Sequence, residues 1–285
     1  MTESYCIASG ETLHILPRGG NFLPETFTRI EPALLDTLQA CSKHWPTEDR
    51  ESIQTMVQAA EAAHFQHHWV ACETAFFQSL PEAKKYYALP AELRQNGYRR
   101  FGGDGLFHQW AAQIHAEDCK FVSVHLSENP SVAAIREERA VDSSQGYSHL
   151  EGLPGLTTCG EIDPSVVLFL AEQGKSATEI SDLLYHHSGW QVFAGQTPLR
   201  DLWNDSQKGA LFQKMYLHNL IETIGAMVAA LGGADMIFLG SESSTIFEEM
   251  VLQIESHFAD FSLPFEFKEV RRAQMIEEVF NYRCR

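Results

Sequence analysis

Thirteen histidines, six cysteines and a set of glycine-rich turns are the residues of this 285-residue chain whose types could do chemistry. His64, His67 and His68 cluster, and His186 and His187 form a second pair. Imidazoles so grouped could ligate a metal, but no His-Glu-x-x-His run and no ladder of Cys and His accompanies them. Helix-end and surface histidines are the preferred reading. Cys6, Cys41, Cys72, Cys119, Cys159 and Cys284 are scattered without a Cys-x-x-Cys pair, as in a chain of reduced thiols. Cys159 has no base at motif spacing, so it reads as a small buried residue rather than a nucleophile. Glycine turns are a different case, because backbone N–H groups can approach a phosphate where no Cβ stands in the way. The most informative of them, Gly146–Pro164, reads GYSHLEGLPGLTTCGEIDP.

The elements that must position these residues are legible in outline. Apolar residues make up 44% and charged residues 21%, which suits a globular chain with a large buried core. A net charge of −17 opposes unaided binding to nucleic acid or to an anionic membrane. No signal peptide and no stretch long enough to span a bilayer is visible, so a cytoplasmic location is expected. Apolar spacing predicts helices over Arg29–Cys41, Asp49–Phe65 and Phe107–His115, with a loop at Gly97–Gly105. Strands are expected at His68–Cys72, Lys120–Leu126, Ser131–Arg136 and Arg139–Ser143. Pro164 starts a helix to Gln173, and Ser176 with Glu179 forms a capping box for the next. A long helix, Gln207–Leu231, ends at Gly232-Gly233. Strands at Asp235–Leu239 and Phe265–Val270 then alternate with helices at Thr245–Phe261 and Ala273–Tyr282, an α/β pattern.

Several stretches in order resemble the acetate kinase family. The Gly146–Pro164 run resembles the family's GFTPLEGLMMGTRSGDIDP; ETAFFQSLP (Glu73–Pro81) and YALP (Tyr87–Pro90) resemble DTAFHQTMP and YALP. YRRFGGDGLFH (Tyr98–His108) is similar to IRRYGFHGTSH, and HLSENPSVAAI (His125–Ile135) to HLGNGASVAAI. The likeness runs from about His14 to Phe261. It implies a two-domain, actin-like ATPase fold of the α/β class with a shortened first domain. The expected division is a remnant at 1–72 and a nucleotide and dimerisation domain at 73–285. The family reaction it implies is ATP plus a short carboxylate giving ADP and an acyl phosphate, with Mg²⁺, usually in a homodimer.

The same resemblance shows where the chain departs from that chemistry. Phosphoryl transfer rests on positioning and charge neutralisation, which the family supplies with two arginines, a histidine, a carboxylate and the metal. HILPRGG (His14–Gly20) is similar to HRVVHGG and puts Ile15 at the first arginine; Arg18, three residues on, reads as solvated. Glu73 takes the place of the catalytic aspartate, where it either binds a cation such as Mg²⁺ or meets solvent at a strand end. Asp104 takes the place of the histidine and Gly103 that of an adjoining phenylalanine. Two unit charges 4 Å apart interact by about 4 kcal/mol at an effective dielectric near 20, so this reversal of sign costs several powers of ten in rate. Alternatively, Glu73 and Asp104 share a cation. Thr158 falls on the second arginine and offers no bidentate clamp.

For the nucleotide, the resemblance implies His125, Asn129, Arg200 and Gly240. The phosphate turns are altered, to Ser127-Glu128-Asn129-Pro130-Ser131 and Gly240-Ser241-Glu242. The family's opening strand is not found, and a sheet edge left bare would be a pairing surface unless the segment Met1–Thr28 covers it. The expected function is therefore a degenerate kinase kept for binding or regulation, with a weak or repurposed phosphotransferase as the alternative. ATP/ADP and Mg²⁺ belong to any residual activity, and a true acyl kinase is one candidate protein partner.

Overall fold

The computed structural model describes residues 3–7, 10–23, 25–43, 45, 47–62, 67–115, 117–195, 201, 203, 209–242 and 244–282. Two sheets organise it. The first has the order β1-β2-β4-β3, from Glu3–Cys6, Thr12–Leu16, Phe27–Arg29 (β3) and His68–Cys72 (β4). β2 and β4 are parallel, and β1 pairs antiparallel with β2 through Glu3↔Ile15 to Cys6↔Thr12. The chain's own N-terminal segment thus covers the flank of β2, so the edge expected at β2 lies at β1 instead.

The second sheet has the order β7-β6-β5-β8-β9, from Lys120–Leu126 (β5), Ser131–Arg136 (β6), Arg139–Ser143 (β7), Met236–Ser241 (β8) and Phe265–Glu269 (β9). β5, β6 and β7 form an antiparallel meander, whereas β5, β8 and β9 run parallel. β5 is buried along almost its whole length, as a central strand covered on both faces must be. Its side chains alternate between two cores. Val122, Val124 and Leu126 face one cluster with Val132, Ala134, Ile237 and Leu239. Phe121, with Ala133, Ile135 and Phe238, joins another. The period of two in strand side-chain direction makes that division.

Helices fill the spaces so defined. In order they are α1 (Pro32–Ser42), α2 (Thr47–Ala62), α3 (Glu82–Lys85), α4 (Ala91–Gln95), α5 (Gly105–Ile114), α6 (Pro164–Glu172), α7 (Ala177–His186), α8 (Gln191–Ala194), α9 (Ala210–Leu231), α10 (Ser244–Phe258) and α11 (Arg272–Tyr282). α1 and α2 cover one face of the first sheet through Leu35, Leu38, Ile53 and Met56. α5 and α11 lie between the sheets: Leu106, Phe107, Met275 and Phe280 share one core with Leu13, Ile15 and Ala71 on one side and Phe121 and Phe238 on the other. α9 covers the far face of the second sheet with a buried stripe of Phe212, Tyr216, Leu220, Ile224, Met227 and Leu231. That three-to-four spacing keeps one helical face inward, and each such side chain contributes roughly 1.5–3 kcal/mol of gross burial. Gly232 ends the helix at φ 68°.

The capping box on α7 is formed as expected: Ser176 accepts from the Glu179 N–H and Glu179 from the Ser176 N–H. The expected start of α9 at Gln207 lies outside the described residues. α5 begins two residues before the expected Phe107. Asp104, at φ 55°, turns the chain into the helix, and the Gly105 N–H donates to the Glu73 carbonyl at 3.0 Å. A Cβ on Gly105 would run into that carbonyl oxygen. Gly105→Ala is therefore expected to cost 1–3 kcal/mol or more, on the order of an overpacked core position, read as a lower urea midpoint with unchanged slope.

Candidate functional site

In open α/β sheets, ligand sites collect outside the carboxyl ends of parallel strands. The ends of β2, β4, β5, β8 and β9 lead respectively to Arg18, Glu73, His125, Glu242 and Arg272. Two side-chain clusters are built there.

The first centres on Glu73, which is 7% exposed. Its Oε2 accepts from the Leu106 N–H at the start of α5 (2.9 Å), a position favourable to a carboxylate. Its Oε1 accepts from the Arg272 guanidinium at 3.2 Å. Arg272 also donates to Glu3 Oε2 at 2.7 Å and stands 3.8 Å from Glu242 Oε1. Burial alone lowers an arginine, but the Glu73 and Glu3 carboxylates override it and hold Arg272 above its ordinary pKa. Burial, with Asp104 and Glu3 nearby, holds Glu73 above the usual carboxylate range, and Arg272 and the Leu106 N–H offset part of that rise.

The second cluster surrounds Asp104. Its Oδ2 accepts from Ser131 Oγ (2.7 Å) and from His125 Nδ1–H (3.1 Å). Although burial by itself raises this carboxyl, the His125 hydrogen bond and charge, together with Ser131, hold it well below the usual carboxylate range. Because Ser131 donates to Asp104, it accepts from His108 Nε2–H (2.9 Å), and His108 Nδ1 then accepts from Ser123 Oγ (2.8 Å). His108 is wholly buried, which pushes its pKa down to about 3. The His125 ring stacks on Phe107 with centroids 4.2 Å apart, and its Nε2, buried without a hydrogen-bond partner, faces Glu242 Oε1 at 3.9 Å.

The nucleotide candidates divide. Gly240 pairs with His125 across β8 and β5, and a Cβ there would meet the Phe107 ring at 2.6 Å. Glycine is thus required at this position by packing alone. Thr158 donates to Asn129 Oδ1 and accepts from the Gly155 N–H, both at 3.1 Å, so these two site candidates meet each other. Arg200 lies outside the described residues.

Other expectations change. Arg18 is not solvated: it is 4% exposed, lies between the Phe101 and Tyr147 rings at 4.9 and 4.8 Å, and donates to the Tyr147 carbonyl. Phe101 and Tyr147, from separate segments of the chain, close over it, so aromatic faces rather than water receive the guanidinium. At Gly103, the side-chain oxygen of Gln145 fills the space a Cβ would take. His64 lies outside the described residues, and His68 is a buried strand residue whose Nδ1 meets His14 Nε2 at 2.7 Å, not a surface histidine. Among the described residues no three His, Cys, Asp or Glu side chains are grouped to hold a metal.

Sequence reasoning missed Arg272, Glu3 and Glu242. One signal was present. An arginine between a strand and the first turn of a helix opposes the helix dipole, and such a cation needs carboxylates nearby.

Burial of neutral His108 carries a pH signature. Its folded pKa lies below the unfolded value near 6.5, so the unfolded chain binds the extra proton. The stabilisation is complete above about pH 6.5 and is lost toward pH 3, at up to about 1.4 kcal/mol per pH unit. Urea unfolding between pH 7 and pH 5 is expected to show a shallower pH slope for His108→Gln than for the wild type; equal slopes would refute this.

The acetokinase family profile matches residues 14–261. An acetate kinase of Bacteroides fragilis is 37% identical over 179 residues, 58% of this chain and 45% of that protein, so the chain spans about half the length of that relative. An acetate kinase of Thermoanaerobacter pseudethanolicus is 28% identical over 281 residues, 92% of this chain and 70% of the other. The crystal structure of acetate kinase from Entamoeba histolytica superposes with a TM-score of 0.82 at 20% identity, covering 94% of this chain and 78% of that one. That from Porphyromonas gingivalis gives 0.79 at 23%, covering 96% and 78%. The fold is therefore the actin-like α/β ATPase architecture, and no described helix is long and apolar enough to cross a membrane. The chain belongs to the acetokinase family.

Proposed function

We propose that this chain is a non-catalytic acetokinase-family protein whose fold serves binding or regulation. One observation carries the reading: both oxygens of Glu73, at the place resembling the family's catalytic carboxylate, are engaged by the Leu106 N–H and Arg272. Asp104, at the place of a histidine, is likewise held by His125 and Ser131. Thr158, at the place of an arginine, bonds to Asn129. Each group bonds inward, and none is left as a cation over a transferring phosphoryl group.

The family's Mg²⁺ does not fit these residues. A guanidinium already stands between Glu3, Glu73 and Glu242. ATP or ADP would meet turns bearing Glu128 and Glu242, which repel a polyphosphate without its cation.

A weak or repurposed phosphotransferase is the second reading. The arrangement of Asp104 behind His125 Nδ1, with Nε2 unpartnered, favours it, because it is that of a general base. The decisive assay incubates the protein with Mg-ATP and acetate or propionate and traps acyl phosphate as its hydroxamate. No product is expected, nor from Thr158→Arg combined with Asp104→His, since Glu73 remains tied to Arg272. Turnover by either protein would sink the non-catalytic reading.

Self-association is part of the same proposal. α6 buries none of its residues, and Leu168 and Phe169 are 65% and 58% exposed on it. Exposed apolar patches of this kind mark interfaces. We expect a homodimer in sedimentation velocity, converted to monomer by Leu168→Asp with Phe169→Asp. A monomeric wild type would refute the dimer and direct attention to another protein, such as an active acyl kinase.

A further inference from the structure

We infer that Arg272 is a tethered cation: its guanidinium occupies the place of a divalent metal ion, and its removal would turn the same carboxylates into a divalent-cation site. Three acids from separate parts of the chain converge on it, Glu3 of β1 at 2.7 Å, Glu73 after β4 at 3.2 Å and Glu242 after β8 at 3.8 Å. Carboxylates gathered from distant segments onto one point are how proteins hold hard divalent cations. Left alone, acids this close would repel one another, so a positive charge must sit among them.

A second, independent observation points to a ligand. His125 is 2% exposed, and its Nε2 has no hydrogen-bond partner and faces Glu242 Oε1 at 3.9 Å. Asp104 bonds Nδ1, so Nε2 is the ring nitrogen directed toward the carboxylate cluster, and in the neutral ring it carries the lone pair. A buried imidazole nitrogen beside carboxylate oxygens is a donor set for a divalent ion such as Mn²⁺. With the guanidinium present, the acids are spread around a planar fork too large for the short bonds of a metal. This accounts for the absence, among the described residues, of any grouping of three or more metal-ligating side chains.

The position of Arg272 supports the assignment. It is the first residue of α11, where the helix dipole disfavours a cation, so its neighbours rather than its helix retain it. Its side chain is only 22% exposed, and Tyr5 donates to the Glu3 oxygen that it also contacts. The charge a metal would bring is therefore covalently built in, and ligand binding at these strand ends is independent of divalent ions.

The test titrates Mn²⁺ alone against the whole chain, followed by electron paramagnetic resonance of the free ion. The wild type is expected to show no stoichiometric site, and Arg272→Ala to bind one Mn²⁺ per chain at least tenfold more tightly than the wild type. Adding Glu73→Gln to Arg272→Ala should abolish the gain. One Mn²⁺ on the wild type that Glu73→Gln removes would overturn the inference, as would a folded Arg272→Ala that binds no better. Should Arg272→Ala fail to fold, recovery of its fold by added Mn²⁺ supports the inference and failure to recover it overturns it. Mn²⁺ on the wild type would leave the non-catalytic reading standing, and acyl phosphate production by a wild type without a Mn²⁺ site would overturn that reading alone.

Discussion

The ion pair between Arg272 and Glu73 is the contact on which the arrangement of the site depends. It joins the end of β4 to the start of α11, and through the Leu106 N–H and the Gly105–Glu73 backbone bond it also sets the start of α5. These two helices fill the space between the sheets, so one carboxylate links the first sheet to the layer that supports the second. A buried charge left without its partner costs about 3–5 kcal/mol, which makes such a pair intolerant of losing one member even where the pair itself adds little net stability.

Beside this pair, the buried hydroxyls of Ser123 and Ser131 and the His108 ring are enclosed together with hydrogen-bond partners. Ser123, His125 and Ser131 lie on the α5 side of the second sheet among Phe121, Ala133 and Phe238, an apolar setting in which an unpaired hydroxyl would be costly. The chain Ser123–His108–Ser131–Asp104–His125 links them in a single run of hydrogen bonds that leaves only His125 Nε2 unpaired among these groups. The charge of Asp104 is compensated by His125 and Ser131 within that run, as that of Glu73 is by Arg272. Both acids thereby act as anchors of the architecture.

At the strand ends, the chain's own side chains fill the spaces around the backbone turns. Phe107 stacks on His125 and lies over Gly240, so a glycine expected to admit a phosphate is also demanded by an aromatic ring. Gln145 fills the space at Gly103, and Arg18 is enclosed by Phe101 and Tyr147. In each case a vacancy is filled by the chain itself. Close packing explains this, because it is sensitive to voids of a single methyl group.

By itself, the sequence determined the elements and the family. The alternation in Lys120–Leu126, the stripe in Ala210–Leu231 and the Ser176–Glu179 box are local patterns, set by the periods of strand and helix and by capping chemistry. Glu73, Asp104 and His125 stood out as candidates because each sits in a short stretch that resembles the family's motifs. Only the tertiary structure decided what these residues touch. Glu3, Glu73, Glu242 and Arg272 are up to 269 positions apart, and no periodicity relates them; the carboxyl ends of parallel strands bring Glu73, Glu242 and Arg272 to one side, where the amino end of the antiparallel β1 adds Glu3. Burial was also beyond local reading. Arg18 and His68 carry side chains that usually meet water, and the fold encloses them between rings or beside another imidazole. Electrostatic partners are a property of the closed sheet and helix layers, which is why the charges could be listed from the chain and paired only in three dimensions.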